Sequence, residues 1–177
     1  YSPAITLLFL LSVIILPAQT TFQRFFSDAD STMEGGRIVH LSNNNILITG
    51  LSSTNLVEFD GTFWIVDANG STVKSKMVNR TAGSTTLLIS EVAATADGGF
   101  ILLVNDFTGS QTDKRIVKAD QDGNVVWTKE LLENTTANLT SIKPVTNGFL
   151  ITAEGPPEAT TLLKINTSGT QVWSKTI

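Results

Sequence analysis

Short apolar runs alternate along this chain with clusters of Asn, Asp and Gly. Ile46-Leu47-Ile48, Phe100-Ile101-Leu102-Leu103-Val104 and Phe149-Leu150-Ile151 each follow such a cluster: Asn43-Asn44-Asn45, Asp97-Gly98-Gly99 and Asn147-Gly148. A second set of runs, Trp64-Ile65-Val66, Ile116-Val117-Lys118-Ala119 and Leu163-Lys164-Ile165, precedes another: Asp67-Ala68-Asn69-Gly70, Asp120-Gln121-Asp122-Gly123 and Asn166-Thr167-Ser168-Gly169. Runs this short, bounded by residues that accept φ > 0, predict strands joined by tight hairpins. Beyond residue 18 no stretch keeps the 3.6-residue apolar period of a helix.

These features recur in the same order three times. The turn glycines Gly70, Gly123 and Gly169 lie 53 and 46 residues apart, a period that signals a propeller, solenoid or array. Each unit reads as four strands, the first two and the last two joined by short turns and the middle two by a longer polar loop. Four antiparallel strands per repeat is the blade of a β-propeller. The expectation is an all-β chain with blades at about 36–78, 90–131 and 140–177. First strands should fall near 37–42, 90–95 and 140–145, and fourth strands near 72–78, 124–131 and 170–176. Thr21-Phe22-Gln23-Arg24-Phe25-Phe26 resembles Val126-Trp127-Thr128-Lys129-Glu130-Leu131, so residues 20–27 read as one extra fourth strand. Three blades and a strand fall short of the 4 to 8 blades of a ring. The expectation is therefore an incomplete ring within a longer protein.

Residues 1–18 follow a different rule. Ala4 to Leu16 is an uncharged apolar run, too short for a spanning helix of about 20 residues but suited to the apolar region of a secretory signal. Leu16-Pro17-Ala18 stands as an approximate cleavage site, although Tyr1 opens the chain with no Met or basic residue before the run. The mature chain is expected outside the cytoplasm, secreted or at the cell surface, without a membrane span. Composition narrows the chemistry. Ser and Thr number 40, Asn 12 and Gly 13, while charged residues are 16%, against roughly 25% in an average domain. A net charge of −4 with no basic run argues against nucleic acid as a partner. With no Cys, disulfides, thiol nucleophiles and a lipidated cysteine are excluded.

The phrase Thr95-Ala96-Asp97-Gly98-Gly99-Phe100-Ile101, followed by Ile116 to Lys129, resembles a repeat of secreted bacterial propellers of the Bacteroidetes type. Its second half also resembles the tryptophan-docking motif of quinoprotein-like propellers. The match is strongest in the second repeat, good in the third and degraded in the first, where Lys74 holds the Trp place. The resemblance implies an exported propeller whose partner is a protein or glycan at the cell surface, or further blades of the same chain. Two alternatives accompany it: a fragment of a quinoprotein-type dehydrogenase, and a structural spacer of a large adhesin.

Candidate chemistry is sparse. Trp127 with Lys129, and Trp173 with Lys175, sit two apart and share a strand face. They could form an aromatic sugar platform, but their regular recurrence favours packing between blades, alongside Gly70, Gly123 and Gly169 as structural residues. Asp120-Gln121-Asp122-Gly123-Asn124 looks like a calcium loop, yet Leu131 stands where a bidentate Glu is needed, and the matching turns lose their acids while keeping Gly. It reads as a turn. The lone His40 has no catalytic partner in the pattern, so no catalytic residue, metal or cofactor is expected. What remains is the loop end. Residues 51–61, 105–113 and 153–161 carry Glu58, Asp60, Asp106, Asp113, Glu154 and Glu158 and no Lys or Arg. Variable loops on a rigid scaffold are where recognition concentrates. These acids are the candidate ligand-binding residues, for a cationic partner or a divalent ion; their plainer reading is a solvated rim.

Overall fold

The structure, a computed structural model, describes residues 32–109, 111–132, 137–156 and 159–177. The expected signal segment at 1–18 and the expected extra strand at 20–27 lie outside them. Twelve strands form three antiparallel sheets of four, each a meander in chain order. The first sheet holds β1 (Thr32–His40), β2 (Ile46–Ser53), β3 (Asp60–Val66) and β4 (Thr72–Met77). The second holds β5 (Thr86–Ala94), β6 (Phe100–Thr108), β7 (Gln111–Ala119) and β8 (Val125–Glu130). The third holds β9 (Asn138–Val145), β10 (Gly148–Gly155), β11 (Ala159–Ile165) and β12 (Gln171–Thr176). The described residues form no closed ring.

One turn design ends all three sheets at the β3–β4, β7–β8 and β11–β12 hairpins. The Asx residue that opens each turn uses its side-chain oxygen to hold the backbone of the residues two and four positions on. Asp67 Oδ1 accepts from the N–H groups of Asn69 (2.9 Å) and Ser71 (2.8 Å). Asp120 Oδ1 accepts from Asp122 (2.9 Å) and Asn124 (2.8 Å). Asn166 Oδ1 accepts from Ser168 (3.1 Å) and Thr170 (2.9 Å). Gly70, Gly123 and Gly169 follow at φ 77°, 77° and 80°, the left-handed position that Gly takes without strain. An amide oxygen does this work as well as a carboxylate, which is why the third repeat can drop the acid.

The sheets fan out. Neighbouring sheets approach through their inner strands, β5 against β1, β2 and β3, and β9 against β5, β6 and β7; β4, β8 and β12 approach no other sheet's backbone among the described residues. The fourth strands are accordingly almost wholly exposed. Within the second sheet β6 is buried on both faces and divides its side chains by strict alternation. Phe100, Leu102 and Val104 join Leu47, Phe63 and Ile65 of the first sheet in one core. Ile101 and Leu103 join Ile142, Ile151 and Leu163 of the third sheet in another. Phe63 meets Phe100 edge to face, centroids 5.3 Å apart at 73°.

Candidate functional site

Where the fan widens, long side chains bridge the gap. Trp127 on β8 reaches from the second sheet to the turn of the third. A methyl group at Gly169 would come within 2.8 Å of its ring and 2.9 Å of Lys129 Cγ. Gly169 is thus needed twice, for its φ and for the ring above it. At the first interface Lys74 holds the Trp place, and Phe63 from β3 supplies the ring instead: a methyl at Gly123 would come within 2.9 Å of it. Trp173, the counterpart of Trp127 on the third sheet, is 42% exposed. In the ladder it stands beside Lys164, as Trp127 stands beside Lys118.

Lys118 is buried on β7 beside the β5–β6 hairpin. Its ammonium donates to Asp97 Oδ1 (2.9 Å), Thr95 Oγ1 (3.0 Å) and the Ala119 carbonyl (3.0 Å). The hydrogen bond from the Thr95 hydroxyl, with help from Lys118 and the Gly99 N–H, lowers the Asp97 pKa from 3.8 to about 2. This pair ties hairpin to strand through Asp97 Oδ1. The Asp120 carboxyl is likewise held below its ordinary value, first by the Asn124 N–H, and its Oδ2 accepts from Asn124 Nδ2 (3.0 Å). Both of its oxygens are engaged within the turn. Among the described residues no three His, Asp or Glu side chains converge as a metal site. His40 is exposed at the end of β1.

At the opposite end the β2–β3, β6–β7 and β10–β11 connections gather with the links between sheets, because alternate ends of a meander fall together. The candidate acids separate into two groups there. Arg80, in the link after β4, donates from Nη2 to Glu58 Oε2 (3.0 Å), pairs through Nε with Asp60 Oδ1 (2.6 Å), and donates from Nη1 to the Ser84 carbonyl (2.9 Å). Asp106 is fully buried; it accepts from Arg115 Nη2 (2.8 Å), the Thr81 N–H (2.6 Å) and the Ser84 hydroxyl. Glu58, Asp60 and Asp106 therefore hold the first link in place. Asp113 is half-buried and Glu154 exposed, and neither forms an ion pair or side-chain hydrogen bond among the described residues. Glu158 lies outside the described residues.

Arg80 and Arg115 are the residues that loop-by-loop counting passes over, since they stand in a link and a strand outside the three loops. They turn three of the candidate acids, Glu58, Asp60 and Asp106, into ion-pair partners. Asn105, next to Asp106, points to the other face of β6. It donates to the Leu139 carbonyl (2.9 Å) and accepts from the Leu139 N–H (2.8 Å). Neighbouring residues of one strand thus fix the connections on either side. The β2–β3 loop ends in exposed Leu56 and Val57, shaped by Asn55 Oδ1, which accepts from the N–H groups of Val57 (3.0 Å) and Glu58 (2.8 Å).

No protein-family model matches the chain, and no curated protein matches it. Among solved structures it is similar to that of a neuraminidase-like protein from A/bat/Guatemala/164/2009, with a TM-score of 0.51 and 15% identity. The likeness covers 75% of this chain and 34% of that one, so this chain spans about a third of the length of that structure. At this identity it is a likeness of fold: all-β, with antiparallel four-stranded sheets set like propeller blades.

Proposed function

We propose that the chain is part of an exported, non-catalytic β-propeller that acts as a binding or surface-display scaffold. The three sheets are consecutive blades, and further blades of the same protein complete the ring. Recognition resides at the loop end. The observation that carries this reading is the contrast between the two ends of the fan: one repeats a single hairpin design three times, and the other is built differently in each blade. A scaffold is uniform where it is only structural and varied where it meets partners. Glu154, exposed and without an ion pair among the described residues, makes a cationic surface group the partner class that this end would select, with Asp113 and Glu158 the further acids of the set. Leu56 and Val57 add apolar contact beside them.

The test is a variant of the full-length protein with Asp113→Asn, Glu154→Gln and Glu158→Gln, compared with the unchanged protein for binding to the surface of the cells that produce it. The reading expects export, an unchanged fold and binding weakened about ten-fold, as a lost set of desolvated charges implies. Retention in the cytoplasm, or unaltered binding at every salt concentration, would overturn it.

A further inference from the structure

The first sheet has one face that no other described strand covers, yet part of that face is buried. Phe63 and Ile65 point from β3 into the core shared with the second sheet, so Thr62, Trp64 and Val66 point the other way. Thr62 is 4% and Val66 2% exposed, and Val66 belongs to neither core. The repeat shows what kind of cover this position takes. Val66, Ala119 and Ile165 each stand directly before the Asx residue of their sheet's last hairpin. Ala119 packs in the core shared with the first sheet, and Ile165 in the core shared with the second. In both cases the cover comes from the unit that precedes in the chain. The turn glycines obey the same rule: a methyl at Gly123 would meet Phe63, and one at Gly169 would meet Trp127 and the Lys129 stem. Gly70 has the same Asx-capped turn and a φ of 77°, and it is buried. Its ring should therefore come from before β1. Thr21-Phe22-Gln23-Arg24 repeats the order of Val126-Trp127-Thr128-Lys129, a ring and then a cation two residues on. The spacing agrees as well. Phe22 stands 48 residues before Gly70, where Lys74 stands 49 before Gly123 and Trp127 stands 42 before Gly169.

We propose that residues 20–27 occupy this face of the first sheet, with the Phe22 ring over Gly70 and the Arg24 stem beside it. Side chains alternate along a strand, so Phe22, Arg24 and Phe26 share the side toward the first sheet and Phe25 takes the other. A glycine leaves the flat surface on which an aromatic ring can lie, and Val66 adds apolar area next to it. The inference rests on the design of the two junctions between sheets and not on what the loop end binds.

The experiment is proton NMR of the full chain and of its Phe22→Leu, Phe22→Trp and Phe25→Leu variants, read at the Gly70 Hα atoms. The unchanged chain should show an upfield ring-current shift there, with NOEs to the Phe22 ring. Phe22→Leu should abolish the shift, and Phe22→Trp should keep it with NOEs now to the indole. Phe25→Leu should leave it in place. The Gly169 Hα shift, which arises from Trp127, should stay constant in all of them and reports that the sheets remain packed. The proposal fails if Gly70 Hα shows no NOE to Phe22, or if Phe22→Leu and Phe25→Leu act alike on its shift. Should Phe22→Leu lose the Gly169 shift and with it the fold, the NOEs of the unchanged chain and of Phe22→Trp still decide.

Discussion

A buried charged side chain needs a reason, and Lys118, near the end of β7, has one in Asp97. The Asp97 carboxyl titrates at about 2 in the folded chain, below its ordinary 3.8, so the unfolded chain binds its proton more readily. Its stabilising contribution is therefore complete above pH 4 and disappears as pH falls through 2. Asp97→Asn should lower unfolding stability by about 1 kcal/mol at pH 7, a modest figure because the carboxylate is mostly exposed. Urea unfolding at pH 7 and at pH 2 checks this: the gap between the two proteins should close at the lower pH. At this scale the sequence was easy to read for turns and hard to read for pairs. Gly70, Gly123 and Gly169 stand out because Gly takes a left-handed turn position at the least cost and recurs there in all three repeats. Arg80 and Glu58 are 22 residues apart and meet only because a sheet intervenes.

Strands were legible where alternation is unbroken and less so where a bulge interrupts it. β5 begins at Thr86, four residues before the apolar pattern suggests, because its register shifts between Ile89 and Glu91 and the alternation of Leu87 and Ile89 falls out of phase with Val92. β1 begins at Thr32 for a similar reason: Gly35, Gly36 and Arg37 occupy a register shift that hides a strand from a hydrophobicity pattern. The fourth strands, marked by Trp and Lys after a Gly turn, fall within two residues of expectation. β6 is the element on which both interfaces depend, and Asn105 is its clamp on the third sheet. Asn105→Ala leaves the buried Leu139 N–H and carbonyl without these partners and should cost about 2–3 kcal/mol. Amide exchange at Leu139 should accelerate by a larger factor than at Leu47 in the first sheet. Equal acceleration at both would mean that Asn105 supports the whole chain and not one junction.

Three sheets packed as a fan are more than three sheets in sequence, and the packing rests on side chains that span a widening gap. The same motif occurs in two environments, Trp127 covered by the next sheet and Trp173 half in solvent, so one substitution made twice separates packing from surface decoration. In the 177-residue chain Trp127→Ala should destabilise by about 2 kcal/mol, below the value for a fully buried ring, and Trp173→Ala by less than about 0.5 kcal/mol. The succession of four-stranded sheets follows from the repeat period, whereas the seating of the Trp127 ring over Gly169 is seen only once the sheets are placed. The exchange at the first interface, where Lys74 holds the Trp place and Phe63 supplies the ring over Gly123, is a departure from the repeat, and a departure shows its consequence only when the neighbouring sheet is in place. The most direct test of the fan is the proton NMR spectrum of the Gly169 Hα atoms. Packing under Trp127 predicts NOEs to its six-membered ring and an upfield ring-current shift that Trp127→Ala abolishes and Trp173→Ala leaves untouched. Gly169 protons at ordinary shifts, with no NOE to Trp127, would contradict the stacking of the second sheet on the third.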